Sequence, residues 1–129
     1  MTGSKGTGYF STDGNVPHSD DTRVKFIKGW FQNTVESFVS ELDLNKSSLV
    51  VHFDADLYSS TLFTLMQIDR LKTKYLAIFD EIPGDETRAL YNYIQATGAR
   101  VTVLGRTGPS KNYPWQIAAI IEPCNEYVV

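Results

Sequence analysis

Ser48-Leu49-Val50-Val51-His52-Phe53-Asp54-Ala55-Asp56-Leu57-Tyr58-Ser59-Ser60-Thr61 decides how this chain folds. It opens as an apolar, β-branched run, ends in two carboxylates, and passes through Ser-Ser-Thr into a helical pattern. A run that is apolar on both faces except for His52 predicts an interior parallel strand over residues 49–54. Inside such a strand, His52 reads as a packed, hydrogen-bonded histidine rather than a ligand. Ser59, Ser60 or Thr61 then caps a helix whose Leu62, Leu65, Met66, Ile68 and Leu71 form a broad apolar face. A second stretch, Tyr75-Leu76-Ala77-Ile78-Phe79-Asp80-Glu81, repeats the plan. Two acid-ended strands joined by one helix place four carboxylates at one edge of a parallel sheet, where open α/β sheets bind ligands. An acidic site suited to a metal is expected there.

The flanks extend the alternation. Residues 24–30 are β-rich and predict a strand ended by Gly29. Asn33 or Thr34 caps a helix carrying Val35, Phe38, Val39 and Leu42 at helical spacing, with Glu36 placed for a capping box. Downstream, Asp85 caps a third helix with Ala89, Leu90, Tyr93 and Ile94 on one face, and Gly98 ends it. Residues 100–104 predict a strand, 105–114 a loop and 115–121 a last strand. Strand–helix alternation followed by two strands predicts an α/β fold: a mostly parallel sheet closed by an antiparallel hairpin, with helices packed on it. Residues 1–22 are rich in Gly, Ser and Thr and read as a flexible N-terminal segment, with one α/β domain over 23–129. The glycines near the start lack the preceding strand and following helix that a phosphate-binding loop needs.

Bulk composition removes several function classes. A length of 129 residues suits one domain, and 42% hydrophobic with 21% charged residues is a globular composition. The net charge of −3, with no Lys/Arg cluster, gives no footprint for nucleic acid. Cys124 is the single cysteine, which excludes an internal disulfide. No apolar run reaches the roughly 20 residues of a membrane span, and no leader-like segment opens the chain, so a cytoplasmic location is expected.

Two motifs together resemble a known family. Phe26-Ile27-Lys28-Gly29-Trp30-Phe31-Gln32-Asn33-Thr34 and His52-Phe53-Asp54-Ala55-Asp56-Leu57-Tyr58-Ser59-Ser60-Thr61 are similar to segments of the macrocin O-methyltransferase-like group of class I S-adenosylmethionine-dependent methyltransferases. Phe79-Asp80-Glu81 stands where that group carries an acidic pair. The resemblance spans residues 24–121 and implies the C-terminal half of a Rossmann-like methyltransferase sheet. It implies a divalent cation such as Mg²⁺ held by Asp54, Asp80 and Glu81, with Asp54 also serving as proton acceptor. Asp56 and Tyr58 would stand beside the ligands, facing substrate. The cation would hold and polarise a small-molecule hydroxyl beside the methyl donor.

The family's cofactor strand and glycine-rich turn have no counterpart in this sequence. Binding of S-adenosylmethionine by this chain alone is therefore not expected. Without a neighbour, the strand over 49–54 becomes an apolar edge, and such edges pair. A homo-oligomer, first of all a dimer, or a complementing chain is expected, with no nucleic-acid or membrane partner. The overall reading is a methyltransferase-derived, non-catalytic or partner-dependent module, with the metal-dependent O-methyltransferase as alternative.

Overall fold

The computed structural model describes residues 12–109 and 114–126. Three helices and four strands follow one another over these residues: α1 (Phe31–Ser40), β1 (Val50–Phe53), α2 (Tyr58–Asp69), β2 (Tyr75–Phe79), α3 (Asp85–Thr97), β3 (Arg100–Thr107) and β4 (Gln116–Glu122). The sheet order is β1-β2-β4-β3. β1 and β2 are parallel, while β4 runs antiparallel to both β2 and β3. Three of the four strands thus share a direction, and the C-terminal hairpin inserts β4 beside β2. The architecture is α/β.

Alternation within the strands sets the core. Phe53, Tyr75, Ala77, Phe79, Ile117, Ala119 and Ile121 are buried together with Leu65 and Ile68 of α2 and Ala89, Leu90 and Tyr93 of α3. Phe53 and Phe79 sit opposite each other in the parallel ladder, and their rings stack at 4.7 Å. The alternate set, Val50, His52, Leu76, Ile78, Ala118 and Ile120, occupies the other face. None of these six is fully buried.

Several expected boundaries move. Residues 24–30 form no strand. Val24, Phe26 and Ile27 stay exposed, and residues 26–28 instead line a small cavity with Thr12, Gly14, Asn15, Val16 and Pro17. A β-rich composition without a ladder partner does not make a strand. The helix α1 starts at Phe31, ahead of Asn33, with Trp30 as N-cap and no side-chain cap. The capping box of Asn33 and Glu36 is therefore absent: the Asn33 N–H donates to the Trp30 carbonyl instead. α2 likewise starts at Tyr58 with Leu57 as cap, which places Thr61 inside the helix and fully buried. Asp85 is the first residue of α3 rather than its cap, a position where its charge still meets the positive end of the helix dipole. Gly98 closes α3 in the left-handed conformation, φ 71°, as expected. β3 runs on to Thr107, shortening the hairpin loop, whose residues 110–113 lie outside the described residues. Residues 1–11 of the N-terminal segment lie outside them too. Among the described residues, no helix is long and apolar enough to cross a membrane.

Candidate functional site

Parallel pairing of β1 with β2 brings the two acid-bearing turns to the same end of the sheet. Asp54 follows β1 directly and is exposed. Asp56 is exposed as well, in the left-handed region at φ 54°, which strains a residue with a Cβ. Asp80 follows β2 and Glu81 follows Asp80. The backbone N–H of Asp80 donates to the Phe53 carbonyl at 3.0 Å, so the ladder continues one residue past β2 and fixes the start of the turn.

Glu86 ties these turns together. It sits in the first turn of α3, is only 1% exposed, and its Oε2 accepts the Glu81 N–H at 3.2 Å. Burial pushes its carboxyl pKa up, the backbone N–H groups of Glu81 and Ala55 pull it down, and the Asp56 and Asp54 charges raise it further. Its Oε1 is buried with no hydrogen-bond partner. One carboxyl group thus bridges the β1–α2 turn and the β2–α3 turn. Sequence reasoning missed Glu86, because an acid in the first turn of a helix is an ordinary dipole partner and its burial is set by tertiary packing.

Asp80 faces the other way. Its Oδ1 lies 3.7 Å from His52 Nε2 and accepts a hydrogen bond from Gln116 Nε2. Thr107 Oγ1 in turn donates to Gln116 Oε1 at 3.1 Å. A polar row therefore crosses all four strands: His52 on β1, Asp80 beyond β2, Gln116 on β4 and Thr107 on β3. His52 is half exposed, its side chain at 54%, and not packed as its apolar neighbours suggested. It lies on the strand's outward face, whereas Val51 and Phe53 supply the core face. Gln116 and Thr107 carried no signal beyond being polar residues at the ends of strands.

Tyr58 opens α2 half-buried, its hydroxyl accepting a hydrogen bond from Asn92 Nδ2 at 2.7 Å and its ring lying under the Arg88 guanidinium at 4.1 Å. Those contacts tie it to α3. Next to β1 lies a cleft of about 370 Å³, lined by Phe31, Val35, Phe38, Val50 and Asp54 among others. Thr61, whose hydroxyl is buried without a partner, also lines it.

The implied magnesium set does not converge in this arrangement. Among the described residues, no group of three or more His, Cys, Asp or Glu side chains is placed to hold a metal ion. Asp80 is engaged with His52 and Gln116, and Glu86 is the acid coupled electrostatically to Asp54 and Asp56. No family model, no curated protein and no solved structure matches this chain.

Proposed function

We propose that this chain is a methyltransferase-derived α/β domain acting as a non-catalytic or partner-dependent binding and oligomerising module, with the free edge of β1 as its pairing surface. The direction of the backbone groups in β1 carries the reading. The carbonyls of Leu49 and Phe53 accept hydrogen bonds from the N–H groups of Leu76 and Asp80. Alternate residues of a strand turn both backbone groups to the same side. The N–H and C=O of Val50 and His52 therefore point away from β2, toward a side where no described strand lies. Val50 is 57% exposed, and Phe31 and Phe38, which also expose large apolar side chains, line the adjoining cleft. An apolar edge with unpaired backbone groups is a template for another strand. A second copy of the chain, related by a two-fold axis, is the first expected occupant.

The test uses Val50→Pro. The Val50 N–H is not part of the β1–β2 ladder, so proline removes an outward donor without opening that ladder. Light scattering over a concentration series is expected to show wild-type dimers and monomeric Val50→Pro, with matching circular dichroism spectra. A wild-type chain that stays monomeric at the highest attainable concentration overturns the proposal.

One observation favours a second reading, a metal-dependent S-adenosylmethionine O-methyltransferase acting on a small-molecule hydroxyl. Glu86 holds the turns bearing Asp54, Asp56 and Glu81 at one end of the sheet. In that reading Asp54, Asp80 and Glu81 would be the residues to hold the divalent cation, which would polarise the hydroxyl, and Asp54 would accept its proton. Calorimetric titration with S-adenosylmethionine, with and without Mg²⁺, decides it: a flat trace in both rules out activity by this chain alone.

A further inference from the structure

We infer that the free edge of β1 is covered by residues 24–28 of a second copy, each chain lending this arm to its partner. The inference rests on the pairing reading above and names the segment that does the pairing. Its first observation is an arm with no ladder of its own. Among the described residues, the backbone of residues 25–29 bonds to no other segment, and the Val24 N–H donates only to the nearby Asp21 carbonyl. Val24, Phe26 and Ile27 are all exposed. β-branched and aromatic residues at such spacing suit a pleated, half-buried surface, and here that surface is missing.

The arm and the edge are complementary in shape. In an extended arm Val24 and Phe26 fall on one side, Lys25 and Ile27 on the other. The sheet is apolar on both sides beside β1. The helix side offers the cleft lined by Phe31, Val35 and Phe38, and the opposite side carries Leu76 and Ile78. An added strand therefore needs an apolar residue for each side, and the arm supplies both. Charge matches as well. The arm carries Lys25 and Lys28, with no acid between residues 22 and 30. β1 runs into Asp54 and Asp56, and β2 into Asp80 and Glu81. Opposite charges on adjacent strands stabilise their pairing. Pairing β1 with β1 adds no lysine or arginine to this acidic end, since residues 48–61 contain none.

The arm does not lie on its own edge. Gly29 sits at φ +149°, where a Cβ would meet Thr34 Cγ2 at 2.7 Å, so the backbone turns tightly just ahead of α1. Before that turn, residues 26–28 lie against Gly14, Asn15, Val16 and Pro17. Among the described residues, none before Phe31 lines the cleft beside β1. An arm held clear of its own edge is available to a neighbour's, and reciprocal exchange closes a two-fold dimer.

Two full-length variants test this by sedimentation velocity, each alone and the two mixed, with one of them labelled at its N-terminus. Phe26→Asp combined with Ile27→Asp spoils the arm and leaves the edge, whereas Val50→Pro spoils the edge and leaves the arm. All three positions are exposed, and circular dichroism checks that each variant folds. Wild type is expected to dimerise, and each variant alone to associate at least about tenfold more weakly. An equimolar mixture is expected to form a heterodimer, because one intact arm then meets one intact edge. An arm variant that dimerises like wild type means β1 pairs with β1; it overturns the inference and leaves the pairing reading standing. A mixture no more associated than its components also overturns the inference alone. Wild type without a dimer, or Val50→Pro dimerising like wild type, overturns both.

Discussion

Glu86 makes the stability of this fold fall as pH rises through the mildly acidic range, opposite to an ion-paired carboxylate. The sign follows from burial. The folded carboxyl keeps its proton to higher pH than the unfolded one, whose pKa is about 4.3. Below about pH 3 both states are protonated and the full contribution is present. Above it the unfolded chain releases its proton first, so the folded state binds more protons and loses stability with each increment of pH until folded Glu86 titrates. One proton sets the ceiling on the slope, about 1.4 kcal/mol per pH unit. Glu86→Gln keeps a carbonyl oxygen to accept the Glu81 N–H and cannot titrate, so its stability profile should be flatter over this window. Urea unfolding followed by circular dichroism at a series of fixed pH values measures both curves. Parallel curves for wild type and Glu86→Gln would refute the reasoning. Asp21 does not confuse the comparison: hydrogen bonding from Arg23 lowers its pKa, so its contribution is lost only as pH falls below the usual carboxylate range.

Phe79→Ala should cost about 3–5 kcal/mol, because the ring is fully buried and stacked on Phe53 between the sheet and the helices. Denaturant titration checks this, and a loss under about 1 kcal/mol would contradict that packing. Gly98→Ala should cost only about 1 kcal/mol, measured the same way. A Cβ there would meet Cys124 at 3.8 Å, an ordinary contact, so the left-handed φ of +71° is the whole penalty. A much larger loss would mean crowding that this geometry does not contain.

The parts of the fold that sequence reading located were those with a strong local pattern. β2 was delimited to the residue because Tyr75–Phe79 is a short apolar run between a charged helix end and an acidic pair. Gly98 was placed because few other residues tolerate its φ. Residues 24–30 were misread because strand identity depends on a neighbour, which no local pattern reveals. The helix starts were misread because backbone geometry at Trp30, Leu57 and Gly84 does the work that side-chain caps were expected to do. At the candidate site, the acids that end the strands were visible as a pattern. Their grouping was not: which acid is buried, and which turns toward His52, depends on the packing of α3 and the insertion of β4 beside β2.

The two flanks of the sheet are unlike, and the difference bears on what β1 is for. β3, the other edge, carries Arg100, Thr102, Arg106 and Thr107, and its register shifts between Val103 and Gly105. Charges and an irregular register both discourage a further strand. Val103 and Leu104 are exposed there, but they lie at the shift, where pairing is already disturbed. β1 has neither protection. Its four residues are Val50, Val51, His52 and Phe53, in unbroken register with β2. Val51 and Phe53 direct their backbone groups to β2 and Phe53 its ring to the core, which leaves Val50 and His52 to face the open edge. Were β1 simply a terminal strand, a lysine or proline at either position would guard it at no cost to the core. The sequence instead places valine and histidine at these positions, and neither discourages a further strand. An edge without such guards is what the proposed pairing through β1 requires.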